Sequence, residues 1–465
     1  MRRWLSSCLF AAFAVLLAAT LGAQSGSTIL APTPPMGWNS WDSYGLTVTE
    51  QQFHANAEVL RDKLKPFGWT YAVVDEGWYM ENPEQRPHPG NLQYALDEHG
   101  RFLPAPVRFP SAGGAPVKHD GQTRLYSGSE GMMQLARWTH AQGLKFGLHI
   151  LRGIPKESVR LKLPIEGSPF SAPDAADVAE TCPWDPTSYG VRDNAAGQAW
   201  YDSLIRQYSH WGVDFLKVDC IADHPYRASE IRQIHDAIAK SGRAMVLSLS
   251  PGPTNLQHAD EVQRLSQMWR ISNDVWDVWS GSGDFPFSVS SQFARIAAWA
   301  PHAGPGHWPD ADMLPFGMLA PRPDVGPGPR MSRLSLDEEQ SQFTLWAISR
   351  SPLVLGTNLT MLDAATISLL TNRKVIRVDQ TALVSRQVYA DERMVVWTAD
   401  MLNKNHAIAF FNLSEATLPA PSSLHGVQIP RGIPIKDAWT GEILSDSAQF
   451  KQLPPHGCAM YLWQN

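Results

Sequence analysis

Eight short apolar runs, most of them followed by a segment of helical periodicity, constrain this chain more than any other feature. The runs lie at 36–41, 71–78, 146–151, 215–220, 245–250, 268–273, 352–356 and, Gly/Pro-rich and irregular, near 307–313. Amphipathic stretches at 50–64, 132–142, 195–211, 230–241, 290–300 and 336–350 separate them. Runs this short are strand-sized, and strands alternating with helices build a parallel sheet with crossover helices. Eight such units predict an α/β fold of the (β/α)8 TIM barrel class. Two connections, 80–130 and 153–193, exceed what a βα unit needs and follow strands, so they are expected to wall a pocket on the functional face.

At 465 residues the chain is too long for one ordinary core. Beyond residue 372 the pattern changes to alternating segments such as MVVWTA, HAIAFFNL and CAMYLW, separated by turn residues. That alternation predicts a C-terminal antiparallel β-sandwich. The expected division is therefore 1–24 as a signal peptide, 25–376 as the catalytic barrel and 377–465 as the sandwich. The first segment has Arg2 and Arg3, an apolar stretch from Leu9 to Leu21, then small residues, which is the pattern of a secretory leader. A secreted or periplasmic protein is expected, and no segment is long enough for a membrane span.

The net charge is −6 and the basic residues are scattered, which argues against nucleic acid as a partner. A neutral substrate suits that balance. Tryptophan is abundant, with 18 residues, and its rings suit the C–H faces of sugars as well as a core. Loss of Cys8 with the leader would leave Cys182, Cys220 and Cys458, an odd number, so one disulfide and one free thiol are expected. Nothing in the sequence bears on oligomeric state.

Two of the apolar runs end in a carboxylate. FLKVDC delivers Asp219 and MWRISND delivers Asp274, at the ends of the fourth and sixth strands. Strands of equal parity direct their last side chains into the same barrel mouth. Two carboxyl groups on either side of a glycosidic bond are what glycoside hydrolysis requires. Each aspartate is equally suited to capping the helix after its strand, and spacing alone leaves both roles open.

The strings PPMGWNSWDSYG, VVDEGWY, LKVDC, WRISND, WPDADML and SPLVLGTNL occur in that order between Pro34 and Leu359. As a set they resemble glycoside hydrolase family 27, the family of α-galactosidases and α-N-acetylgalactosaminidases. The resemblance implies a (β/α)8 barrel, a C-terminal β-sandwich and retaining hydrolysis of terminal α-D-galactosyl residues by two aspartates, without cofactor or metal. Carried onto this chain, it makes Asp219 the nucleophile and Asp274 the acid/base. It makes Trp41, Asp75, Lys217, Arg270 and Asp312 sugar-binding residues, and it pairs Cys182 with Cys220 in a disulfide at the pocket edge.

Three sugar-reading positions depart from the α-galactosidase pattern. Glu76 follows Asp75 where two adjacent aspartates are usual, and its extra methylene would crowd a hydroxymethyl group. β-L-Arabinopyranosidases of the family handle a galactose-like ring without that group. His149 takes the place of a tyrosine. Ser250 takes the place of a glutamate, as in the N-acetylgalactosaminidases, yet Pro251-Gly252-Pro253 follows instead of that version's companions. Two readings of other classes stand beside these. One is a metal-dependent barrel hydrolase using His149, Asp219, His224, Asp310 and Asp312, although it lacks the usual first-strand His-x-His. The other is a non-catalytic sugar-binding protein, which would be expected to have lost a carboxylate.

Overall fold

The computed structural model describes residues 29–185, 187–320 and 325–465; the expected leader, 1–24, lies outside them. Eight parallel strands form the central sheet: Met36–Asn39, Tyr71–Val74, Lys145–Leu151, Phe215–Asp219, Val246–Leu249, Met268–Arg270, Trp308–Asp310 and Leu353–Leu355. The first seven pair in sequence order, and the eighth pairs with the first. Between the seventh and eighth the contact is made just beyond the seventh strand, where Leu314 N–H donates to the Val354 carbonyl at 2.7 Å. The ring of strands is thereby completed. Pro309 lies inside the seventh strand and Asp312 has φ +82°, which is why this segment is short and departs from regular pairing.

Helices occupy the expected stretches, among them Glu50–Val59, Met133–Ala141, Ala195–Trp211, Ala228–Ser241, Val289–Trp299 and Leu336–Ser349. Local chemistry fixes their ends. Thr49 and Ser335 open their helices with reciprocal capping boxes to Gln52 and Glu338, and Gly212 and Gly242 close theirs in left-handed conformation. Thirteen of the 18 tryptophans, Trp38 and Trp346 among them, are buried, so most of the aromatic excess serves packing.

Both long connections fold into small three-stranded sheets. The first contains Tyr94–Leu96, Gly113–Asp120 and Thr123–Ser129, and the second Ile154–Pro155, Ala176–Thr181 and Ser188–Val191. The expected domain division at 376/377 falls inside a helix, Arg373–Thr381. The antiparallel sheet begins at Ala382 and holds six strands. One face of this sheet packs on helix Leu336–Ser349, which is buried nearly all round because barrel and sheet cover it together. Ser341 Oγ donates to the His456 carbonyl at 2.6 Å, and Trp439 Nε1 donates to Thr344 Oγ1 at 3.1 Å across that seam.

Asp379, in the connecting helix, is fully buried and its Oδ1 has no hydrogen-bond partner among the described residues. Burial pushes its carboxyl well above the usual range, against the Gln380 amide and Arg350. A carboxyl that holds its proton in the folded state but releases it when unfolded loses stability as pH rises above about 3.9. Asp379→Asn is therefore expected to raise the Tm more at pH 8 than at pH 5. Thermal scans of both proteins at the two pH values check this, and an equal or opposite effect would contradict it.

Candidate active site

The second, third and fourth strands bring most of the predicted residues together at their carboxyl ends. Asp75 and Glu76 directly follow Val74, His149 lies within the third strand, and Lys217 and Asp219 lie in the fourth. Register sets Lys217 beside His149, and Asp219 beside Leu151. Side chains two apart share a face, so Lys217 and Asp219 both enter the barrel mouth.

Asp75 ties this group together. Its Oδ2 accepts from Lys217 Nζ at 2.9 Å and from Asn39 Nδ2 at 2.6 Å, while Oδ1 accepts from the Glu76 N–H at 2.8 Å. Burial alone would raise its pKa, but Lys217 and His149 overcome that and hold it well below the carboxylate range. Asp219 Oδ2 lies 3.6 Å from His149 Nε2. Burial opposes ionisation here as well, and His149 and Lys217 again outweigh it, so the Asp219 carboxyl is held below its usual range.

Glu76 has the opposite setting. Arg86 Nη1 sits 3.3 Å from Glu76 Oε1 and 3.4 Å from Asp185 Oδ2, and its Nη2 donates to the Trp184 carbonyl at 2.8 Å. Two buried carboxyls thus share one guanidinium. Burial first, then repulsion from Asp185, push Glu76 well above the usual range.

On the far side, Arg270 Nη2 lies 2.7 Å from Asp312 Oδ2 and 3.2 Å from Asp274 Oδ1. The Val275 N–H donates to the same Asp312 oxygen at 2.7 Å. Burial, reinforced by Asp274 and Asp310, pushes Asp312 up to about 7 despite Arg270. The Asp274 side chain is 35% exposed against 15% for Asp219, so Asp274 is the carboxyl better placed to exchange protons with water.

Trp41, Asp75, Glu76, Lys217, Asp219, Ser250 and Asp274 line one cavity of about 400 Å³. Arg270 and Asp312 line a smaller one of about 30 Å³ that shares Lys217 and Ser250 with it. His149 reaches the larger site through Asp219. The metal-hydrolase set does not converge: Asp312 is taken by Arg270, and Asp310 accepts from the Asp312 N–H at 2.9 Å. A different trio, Glu76, His149 and Asp219, offers donor atoms all within 4.8 Å of one another.

Sequence reasoning missed several residues. Asn39, the last residue of the first strand, and Asp42, just beyond it, belong to the NSWD string and were within reach of it. The Asp42 carboxyl is buried and pushed well above its usual range, first by burial and then by Asp312 and Asp274. It lies so close to Gly356 that a Cβ there would come within 1.9 Å of Asp42 Oδ2. Arg86, Trp184 and Asp185 come from the two long connections, where no local pattern distinguishes a pocket residue from a loop residue.

Cys182 and Cys220 are joined, with Cα atoms 6.0 Å apart, and Cys458 is a buried free thiol. The bond ties Trp184 and the 153–193 connection to the end of the fourth strand. Its sequence separation of 38 residues predicts a stabilisation of about 3–4 kcal/mol. The double variant Cys182→Ser/Cys220→Ser is expected to lose that amount of unfolding free energy, measured by guanidinium titration, and to show a raised KM.

Residues 193–381 match the family model described as alpha galactosidase A, and 391–463 match its C-terminal beta sandwich domain. An α-galactosidase of Oryza sativa subsp. japonica is 26% identical over 441 residues, 93% of this chain and 85% of that protein. A β-L-arabinopyranosidase of Geobacillus stearothermophilus, a member of glycoside hydrolase family 27, is 40% identical, with a TM-score of 0.82 over 94% of this chain and 97% of that one. A Bacillus halodurans structure presented as a candidate α-N-acetylgalactosaminidase is 37% identical, with a TM-score of 0.79 over 94% and 98%.

Proposed function

The chain belongs to glycoside hydrolase family 27, and from that premise we propose that it is a secreted, retaining exo-glycosidase that removes terminal β-L-arabinopyranosyl residues, with α-D-galactosides as poorer substrates. The observation that carries the choice of sugar is Glu76. It sits beside Asp75 in the cavity wall, and Arg86, itself paired with Asp185, holds its longer side chain in place. A carboxyl fixed there occupies the space that the hydroxymethyl group of galactose would need. The two sugars are otherwise alike around the ring.

In the first step the ionised Asp219 attacks the anomeric carbon while Asp274 gives its proton to the departing glycosidic oxygen. The glycosidic bond breaks and a glycosyl ester of Asp219 forms. Asp274, now a carboxylate, takes a proton from water, and the resulting nucleophile attacks the same carbon, releasing Asp219 and a sugar of unchanged anomeric configuration. Lys217 and His149 favour the anionic form of Asp219, and the exposure of Asp274 favours its repeated exchange of a proton. Asp75, Lys217 and Arg270 are charged donors and acceptors for ring hydroxyls, and Trp41 offers an apolar face to the ring. The leader pattern and the disulfide support an oxidising, extracytoplasmic location.

A second reading, hydrolysis of terminal α-D-galactosides, is favoured by the activity named for the rice relative. Aryl α-D-galactoside, β-L-arabinopyranoside and N-acetyl-α-D-galactosaminide separate the possibilities. The arabinopyranoside is expected to give the highest kcat/KM, and a higher value on the galactoside would replace the first reading with the second.

A further inference from the structure

Two of the departures from the α-galactosidase pattern meet at one atom group. Glu76 is a residue longer than aspartate at the end of the second strand, and His149 is an imidazole where a tyrosine is usual on the third. Both face Asp219 on the fourth. Their donor atoms, one from each residue, fall within 4.8 Å of one another, and His149 Nε2 is 3.6 Å from Asp219 Oδ2. Ligands at tetrahedral zinc, with bonds near 2.0–2.2 Å, stand about 3.3–3.5 Å apart. The histidine–aspartate pair is already close to that spacing, and Glu76, giving up its proton and its contact with Arg86 as the ion binds, has the side-chain length to close the remainder.

His149 is fully buried, and neither of its ring nitrogens has a hydrogen-bond partner among the described residues; Asp219 Oδ1 is likewise unpartnered. The His149 Nε2 stands 3.6 Å from Asp219 Oδ2, beyond hydrogen-bond distance, and a buried imidazole that makes no hydrogen bond is costly unless something binds it. His149 and Asp219 sit on adjacent paired strands, Glu76 lies two residues past the end of the strand beside them, and Trp78 Nε1 donates to the His149 carbonyl at 2.8 Å, so the imidazole and the Asp219 carboxyl are held by rigid elements. One nitrogen and two carboxylates with an open side towards the cavity make a set for a borderline transition metal. Calcium and magnesium, which prefer six or more oxygen ligands, suit it poorly.

We propose that Glu76, His149 and Asp219 bind a Zn²⁺ ion, and that this ion inhibits the enzyme by occupying the nucleophile and the adjoining sugar space. Zinc is then a reversible competitor of the substrate and takes no part in turnover. Inhibition rests on the nucleophile assigned to Asp219, but binding of the ion does not.

Calorimetric titration of the full chain with Zn²⁺ alone is expected to show one ion per chain. His149→Tyr is expected to weaken it at least about tenfold, and Glu76→Gln serves as the second variant should the first not fold. Anomalous scattering from zinc-soaked crystals should place the ion at His149 Nε2. With substrate present, Zn²⁺ should raise KM at unchanged kcat, EDTA should reverse the effect and Mg²⁺ should not reproduce it. No binding at millimolar Zn²⁺, equal binding by both variants, or an ion located elsewhere would overturn the proposal. Binding at the trio without competition against the sugar would confirm the metal site and count instead against the role given to Asp219.

Discussion

Asp219→Ala is expected to lower kcat/KM by a factor of about 10⁴ or more, because loss of a nucleophile removes a covalent path that the remaining site cannot replace. The fold should survive, since the side chain makes no hydrogen bond within the strand ladder and faces the cavity. Added azide should restore turnover in this variant by entering the space of the missing carboxylate. The product would be a glycosyl azide of inverted configuration, because only one displacement occurs. Asp274→Ala separates from it by product and by leaving group. Its first step should remain fast on aryl glycosides whose leaving group needs no proton, and azide should give the retained product. If Asp219→Ala keeps wild-type turnover, or if azide gives the retained product there, the two roles assigned here are wrong.

The barrel was legible because its evidence is local. Each strand is a short apolar run and each main helix carries its own periodicity, and capping at Thr49 or Ser335 needs only four neighbouring residues. The helix Arg373–Thr381 was missed as an element because only Val375, Ile376 and Val378 of RKVIRVDQT are apolar, too few to set a helical period of the kind that marks the earlier helices. The small sheets in the two long connections were also missed. They carry little apolar sequence, and the strand at Gly113–Asp120 is almost wholly exposed, so no alternation betrays it.

The chemistry was legible to a shorter distance. Asp219 and Lys217 are two apart on one strand, so the sequence itself puts them on one face. Arg86 and Asp185 are 99 positions apart and meet only because both connections fold over the same strand ends. The consequence is electrostatic as well as steric. Taken alone, Glu76 reads as one extra methylene, whereas with Asp185 and a single shared arginine it becomes a carboxyl pushed well above its usual range. A neutral carboxyl donates a hydrogen bond where an ionised one only accepts. Glu76 would then offer a proton to the sugar where Asp75, two backbone atoms away and ionised, accepts one.

Glu76→Asp is the substitution in which that difference becomes measurable. Shortening the side chain by one methylene draws the carboxyl back from the cavity and away from Arg86 Nη1, now 3.3 Å from Oε1. That withdrawal relieves crowding of the hydroxymethyl group which distinguishes galactose from arabinopyranose. One methylene in a pocket is worth roughly 10- to 200-fold in kcat/KM. The ratio of kcat/KM on α-D-galactoside to that on β-L-arabinopyranoside is therefore expected to rise by about that factor, mainly through a lower KM on the galactoside. Asp185→Asn keeps the length of Glu76 while removing the repulsion that holds its proton, so it should alter the pH dependence of KM and leave the sugar ratio largely unchanged. If Glu76→Asp moves both substrates equally, the residue contributes general binding and does not select the sugar. If Asp185→Asn moves the ratio as far as Glu76→Asp does, charge and not length decides which sugar enters.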